Sequence, residues 1–512
     1  MALHRSFRGI MSCALAITLL AGVDVVAAGV SPANASTGTV LFNQPFSDNT
    51  VDGTAGSLSL PTSPTGTNSA CLTAAGNATA NPLASCSTAT DSQGSGKLRL
   101  TPDSTTQEGG VFASTSVPTS QGLDVSFNSY QYGGNGADGI AFVLAAVNPA
   151  DPQTPAAIGQ SGGALGYSAK ASAPPALPGL SYGYMGIGID TYGNFSNKYE
   201  GTGCTDPSNI AQQMPRQVVV RGPGNGTVGY CALASTAATA TSPGLILRGT
   251  TRAASLVPVE VVFNPTSSTV TTASGLTVPG GDYDVHFTPI GGPAKDLVGA
   301  LPVVPAGLYP ASWVSANGIP KQLAFGWVAS TGASTDYHEI DNVVVSSLNP
   351  VPALAVSQTS YAATSLTPGS PVTYAVAASS TGAAENLPVT VTETVPSGVL
   401  PVGASGPGWV CGAPSGQQIS CTNSTSPFTS GTITVNAVVT SSSVTPALVQ
   451  TASSAIASSG DAAPATSSSA PAGTVPAAPA VTGISPTNGA AGGGNDVTVT
   501  GTNLSGATAV EV

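Results

Sequence analysis

Hydrophobic and polar positions repeat along this chain at short intervals, and no long stretch has a helical period. The strand candidates are Lys97–Thr101, Gly139–Ala146, Gln217–Arg221, Val257–Phe263, Gln322–Ala329 and Glu339–Ser346. Val257–Phe263 alternates in part, as a half-buried strand does. Gly139–Ala146 is a continuous apolar run, the pattern of a strand covered on both faces. Residues 36–349 therefore form one long, turn-rich β region, of a size that a jelly-roll sandwich with long loops reaches. A second, smaller sandwich is predicted over 351–450, where Pro371–Ala377 and Leu387–Pro396 alternate with period two and Thr432–Val439 does so in part. Residues 451–478 are almost all Ala, Ser, Thr, Gly and Pro and read as a linker. Residues 479–512 begin a third β unit of about two strands, Val497–Asn503 and Ala509–Val512, too little for a stable domain. The chain reads as a piece of a longer protein.

Composition agrees. Gly (62) and Pro (42) are abundant among 512 residues while charged residues make up 7%, which favours many short strands joined by turns over amphipathic helices. The formal net charge is −12, and no Lys or Arg follows Lys321. A nucleic-acid binder needs cations to displace phosphate counterions, so that class is set aside.

The N-terminus predicts export. His4, Arg5 and Arg8 precede an apolar stretch from Ile10 to Val23, and Ala33-Asn34-Ala35 offers a small-residue cleavage site that makes 1–35 a signal peptide. The apolar run is short for a membrane span, and no other segment is long and apolar enough. A secreted location, with association to the cell surface or wall, permits disulfides. Past Cys13, six cysteines fall into local pairs, read as Cys71–Cys86, Cys204–Cys231 and Cys411–Cys421.

Four motifs carry candidate chemistry. Gly133-Gly-Asn-Gly-Ala-Asp-Gly-Ile-Ala-Phe-Val-Leu144 presents Asp138 from a glycine-rich loop at the mouth of an apolar strand. Ser161-Gly-Gly-Ala-Leu-Gly-Tyr167 is a tight glycine turn, where no side chain blocks close approach to Gly162 and Gly163. Gly186-Ile-Gly-Ile-Asp-Thr-Tyr-Gly-Asn-Phe-Ser-Asn197 is a strand end and polar loop carrying Asp190, Tyr192, Asn194 and Phe195. Leu323–Gly332 is followed by His338-Glu-Ile-Asp-Asn-Val-Val-Val345.

In this order the motifs resemble the L-type (legume) lectins. The resemblance implies a concanavalin-A-like jelly roll that binds carbohydrate and is not an enzyme. It implies a cis Ala137–Asp138 bond, hydrogen bonds from sugar hydroxyls to Asp138, a donor at Gly162 or Gly163, Asn194 as a further donor, and Tyr192 or Phe195 stacking on the sugar. It also implies calcium held by Asp190, the Tyr192 carbonyl, Asn194 and a downstream carboxylate, Asp206 or Glu200. The sequence departs from the family at Gly188, where the family has a glutamate, and in lacking the following histidine, so no transition metal is expected. His338 opens a strand in the family pattern and reads as structural. The 351–450 region resembles bacterial wall-associated Ig-like repeats through Val395-Pro-Ser-Gly398 and Trp409-Val-Cys411. The last segment resembles IPT/TIG domains through Ile484-Ser-Pro486 and Val497–Asn503. Two other classes stay open: a structural or adhesion protein that has lost sugar binding at Gly188, and a glycoside hydrolase of the same architecture. The nearest approach to a hydrolase's carboxylate array is Glu339-Ile-Asp341, which lacks a third carboxylate.

Overall fold

In a computed structural model the described residues lie between 38 and 504, without 52–56, 65, 78, 80–81, 150–151, 171–174, 198–199, 201–211, 238–241, 363–368, 397, 441–447, 450–453, 460–461, 463–464, 469–473, 476–479 and 503. The signal-peptide prediction, Cys204 and Asp206 therefore lie outside the described residues. The protein is all-β, with four one-turn 3₁₀ helices named among the described elements. No helix among the described residues is long and apolar enough to cross a membrane.

The first region is a two-sheet sandwich. One sheet has eight strands, ordered Lys295–Ala300, Asp282–Phe287, Leu256–Phe263, Leu123–Tyr132, Tyr337–Ser346, Leu98–Thr101 and Cys71–Leu72, with Val40–Gln44 also pairing Tyr337–Ser346. The other has ten. Its central path runs Val228–Gly229, Gly224–Asn225, Gly183–Asp190, Gly139–Ala146, Gln322–Ser330, Glu108–Ala113 and Leu58–Ser59. Gln217–Arg221 adds to Gly183–Asp190, and every strand pair in both sheets is antiparallel.

The apolar run Gly139–Ala146 shows why this sheet is central. Ile140, Phe142 and Leu144 enter the core between the sheets, with Phe127, Phe325 and Trp327. Ala141, Val143 and Ala145 face the other way, into a second core with Leu165, Tyr167, Phe195, Val219, Tyr230 and Val328. Burying a side chain of Phe or Leu size contributes about 1.5–3 kcal/mol. The loops that follow the sheet are thus fastened to its outer face by core packing.

The second region is a smaller sandwich. Pro352–Ala362, Pro371–Gly382, Ser430–Val439 and Val399–Ser405 form one sheet. Trp409–Cys411, Gln418–Asn423, Val389–Thr394, Ser454–Ser458 and Ala465–Ser468 form the other. Val376, Val391, Trp409, Phe428 and Ile433 fill its core. The expected linker is corrected here: Ser454–Ser458 pairs with Val389–Thr394, and Ala455 and Ala457 are buried. Alanine suffices to fill the space there, so a stretch without large apolar residues still packs. Ala480–Ser485 and Thr498–Thr502 make a separate two-stranded hairpin.

Cys71–Cys86 and Cys411–Cys421 are disulfides, the latter between directly paired positions. Cys231 is disulfide-bonded as well.

Candidate functional site

Strand register gathers three loops at one end of the ten-stranded sheet. Gly139 pairs with Asp190 on one side and with Ser330 on the other. The segments 133–138, 190–197 and 330–336 therefore emerge side by side. The Gly162–Ala164 turn joins them, because the Ser330 hydroxyl donates to the Gly162 carbonyl at 2.7 Å.

Asp138 sits at the centre. Its peptide bond to Ala137 is cis, as expected. Its own N–H donates to the Ser330 carbonyl at 2.9 Å, and its carbonyl accepts from Thr191 and Tyr192 at 3.0 and 3.1 Å. Both ends of the residue are fixed by backbone while the carboxylate is left over. The residue is 4% exposed, and Oδ2 is buried with no hydrogen-bond partner among the described residues. Burial raises the carboxyl to about 7, with Lys170 acting against this and Glu200 with it. The carboxylate lies between two glycines. A Cβ on Gly162 would stand 3.9 Å from Oδ2 and one on Gly332 3.5 Å from it, so backbone rather than side chains flanks the carboxylate at both positions.

Gly163 meets a harder limit. A Cβ there would stand 2.2 Å from the Asn194 Cβ and 3.2 Å from the Glu200 Oε1. The glycine turn is thus pressed against the Asn194–Ser196 turn, and Asn194 is brought beside Asp138's loop. Glu200 is 7% exposed, with Oε2 buried and unpartnered among the described residues. Burial raises its carboxyl, against the pull of Arg221 and Lys170.

Asp190 braces the turn that follows it. Its Oδ1 accepts the Gly193 N–H and its Oδ2 the Phe195 N–H, each at 2.7 Å, so the carboxylate fastens the turn that follows it. Burial still raises it to about 8 against those two bonds. The Tyr192 carbonyl accepts from the Gln213 amide at 3.1 Å. Among the described residues no group of three or more His, Cys, Asp or Glu side chains is placed to hold a metal ion. Of the donors expected for calcium, the Asp190 carboxylate and the Tyr192 carbonyl accept protein hydrogen bonds, Glu200 keeps Oε2 without a partner among the described residues, and Asp206 lies outside the described residues.

Of the two aromatics expected to stack on a sugar, Tyr192 is 39% exposed. Phe195 is corrected: it is fully buried in the second core, edge-on to Tyr167 with ring centroids 6.4 Å apart. It also explains Gly188. A Cβ at 188 would stand 2.4 Å from the Phe195 ring, so the space beyond the strand is filled by the aromatic and leaves no room for a glutamate.

Three cations were missed in the sequence. Lys170 approaches the Gly162 turn, its Nζ 3.3 Å from where a Cβ would stand. Arg248 forks onto Asp336 at 2.6 and 2.7 Å and donates to the Gly134 carbonyl, tying the first loop to the last. Arg221 is buried under the Asn194–Ser196 turn. Their scarcity was the available signal, since the chain has 12 Lys and Arg in all. His338, read as structural, is buried with Nδ1 2.6 Å from the Thr101 hydroxyl, and burial lowers it to about 3.

No family model matches the chain, and no curated protein matches it. Among solved structures it is similar to the exoplasmic/lumenal domain of VIP36 in a Ca2+/Man3GlcNAc-bound form, at 16% identity over 49% of this chain and 78% of that one, with a TM-score of 0.27. It is similar to the metal-free lectin I-B4 from Griffonia simplicifolia at 16% identity, over 55% and 93% of the two chains, with a TM-score of 0.30. It is also similar to a legume lectin-like domain from Entamoeba histolytica at 9% identity, over 48% and 82%, with a TM-score of 0.25. What this chain binds is argued from its own residues.

Proposed function

We propose that the chain is a secreted glycan-binding protein and that the sugar sits at the convergence of the three loops. Asp138 accepts hydroxyl hydrogens, the Gly162–Gly163 backbone and Asn194 supply donors, and the Tyr192 ring covers an apolar sugar face. The observation that carries the proposal is the buried Asp138 Oδ2, which has no partner among the described residues and has glycines rather than side chains on either side. An unpaired buried acceptor costs about 1–3 kcal/mol, and a hydroxyl that meets it recovers that amount. Tyr192 adds exposed aromatic surface at the same rim.

Binding is favoured over hydrolysis because Glu339 and Asp341 are held in ion pairs with Arg99, Arg252 and Lys97 on the other sheet. The second sandwich as an Ig-like spacer, the last hairpin as the start of an IPT/TIG unit, and wall association belong to the same proposal. Calcium enters it only as a variable of the test. An adhesion protein without sugar binding is the second reading, favoured by the Phe195 ring filling the space at Gly188.

The test is a glycan array probed with the full chain secreted from an oxidising host, with calcium and with EDTA, as wild type and as Asp138→Asn. The proposal expects discrete neutral glycans to bind and the variant to lose them by about fivefold or more. Equal binding by the variant, or no binding at all, overturns it.

A further inference from the structure

Arg221 ends the Gln217–Arg221 strand, opposite Gly186, yet its side chain runs under the loop that follows Asp190. It is 1% exposed. Its Nε donates to the Phe195 carbonyl at 2.5 Å, one Nη to the Asn197 carbonyl at 2.7 Å, and the other to the Glu200 carbonyl at 2.9 Å and to the Tyr230 carbonyl. The guanidinium carbon lies 5.2 Å from the centre of the Phe195 ring. Three carbonyls of one short segment thus point at a single buried cation. A guanidinium has five donors in a rigid fork, so one side chain fixes several acceptors at once. Burial lowers it to about 10, which leaves it charged at neutral pH.

This bears on the calcium that the resemblance implied. Carbonyl and carboxylate oxygens gathered around a cation are what a bound calcium requires. Here the carbonyls of Phe195, Asn197 and Glu200 turn to Arg221, and the Asp190 carboxylate turns to backbone N–H groups of the same segment. The described part of the loop is thus cross-braced from both ends by protein groups.

We propose that Arg221 is the resident cation of this loop, a positioning residue that orders residues 190–197 and holds Asn194 and Glu200 beside the Gly162–Gly163 turn in calcium-free solution. Calling it a binding loop rests on the glycan reading above. Its order does not, and the test therefore uses no sugar.

Hydrogen exchange followed by mass spectrometry on the full chain, in calcium and in EDTA, reads the order directly. Peptides within 190–197 are compared with peptides within 139–146. Wild type is expected to exchange equally in calcium and EDTA within twofold. Arg221→Met is expected to speed exchange at 190–197 at least tenfold while 139–146 stays protected, and Arg221→Lys, which keeps the charge but not the fork, to fall between. If Arg221→Met also deprotects 139–146, the lysine variant and the wild-type EDTA comparison decide. Exchange at 190–197 that rises tenfold in EDTA in the wild type, or that is unchanged in both variants, overturns the proposal. Loss of glycan binding on the array with this result intact would remove the sugar and leave the clamp.

Discussion

On the outer face of the eight-stranded sheet, Glu339 and Asp341 are buried carboxylates surrounded by partners. Glu339 accepts from Arg99 at 2.9 Å, Arg252 at 2.6 Å and Tyr132 at 3.1 Å, and Asp341 from Lys97 and from Asn128 at 2.8 Å. At the loop end of the ten-stranded sheet, Asp138 and Glu200 are as deeply buried, and each keeps an oxygen unpartnered among the described residues. These two clusters of one sandwich thus treat the same chemical group in opposite ways. A carboxylate whose oxygens are all paired has its interaction energy invested in the fold. One that is buried and unpaired raises the energy of the free protein and recovers it when a donor arrives.

The contrast breaks if the two clusters respond alike to mutation. Removing the Glu339 charge leaves Arg99 and Arg252 buried without their acceptor, and Glu339→Gln should lose about 3–5 kcal/mol in urea unfolding. Asp138→Asn should lose glycan binding about 5- to 150-fold, the equivalent of about 1–3 kcal/mol, while unfolding near pH 8 at no lower urea concentration than wild type.

A pH series sharpens the difference. The Asp138 carboxyl is raised from 3.8 to about 7 in the folded chain, so the folded state binds the proton more tightly than the unfolded one. Its favourable contribution to stability is fully present below about pH 4 and is lost as pH rises to about 7. The stability of Asp138→Asn relative to wild type should therefore increase from pH 5 to pH 8 in thermal melts. A site that uses the ionised carboxylate as acceptor should gain glycan affinity over the same range, measured by calorimetry. The smallest expected effect is at the rim: Tyr192→Ala should weaken binding by about 1 kcal/mol and leave stability within about 0.5 kcal/mol.

Much of this was legible in the chain. The unbroken apolar run Gly139–Ala146 announced a strand covered on both faces, and it lies between two cores. The glycine-rich run before Gly139 announced a loop at the mouth of that strand, and Asp138 stands where the strand begins. What stayed hidden depends on where side chains turn after the strands end. Tyr192 and Phe195 are three residues apart in one loop, and the intervening 3₁₀ turn sends one ring outward and the other into the core. Arg221 closes an ordinary apolar strand, and no local pattern reveals that its fork reaches three carbonyls of another segment. In the second region Ala455 and Ala457 pack as core residues, although composition alone reads there as linker.

The central claim is that a sugar hydroxyl completes the buried Asp138 carboxylate. A crystal structure of the full chain with an array-positive glycan tests it most directly. The account predicts a sugar hydroxyl within about 3.2 Å of Asp138 Oδ2, with the sugar ring against Tyr192. A glycan bound elsewhere, with Asp138 Oδ2 still unpartnered, would contradict it.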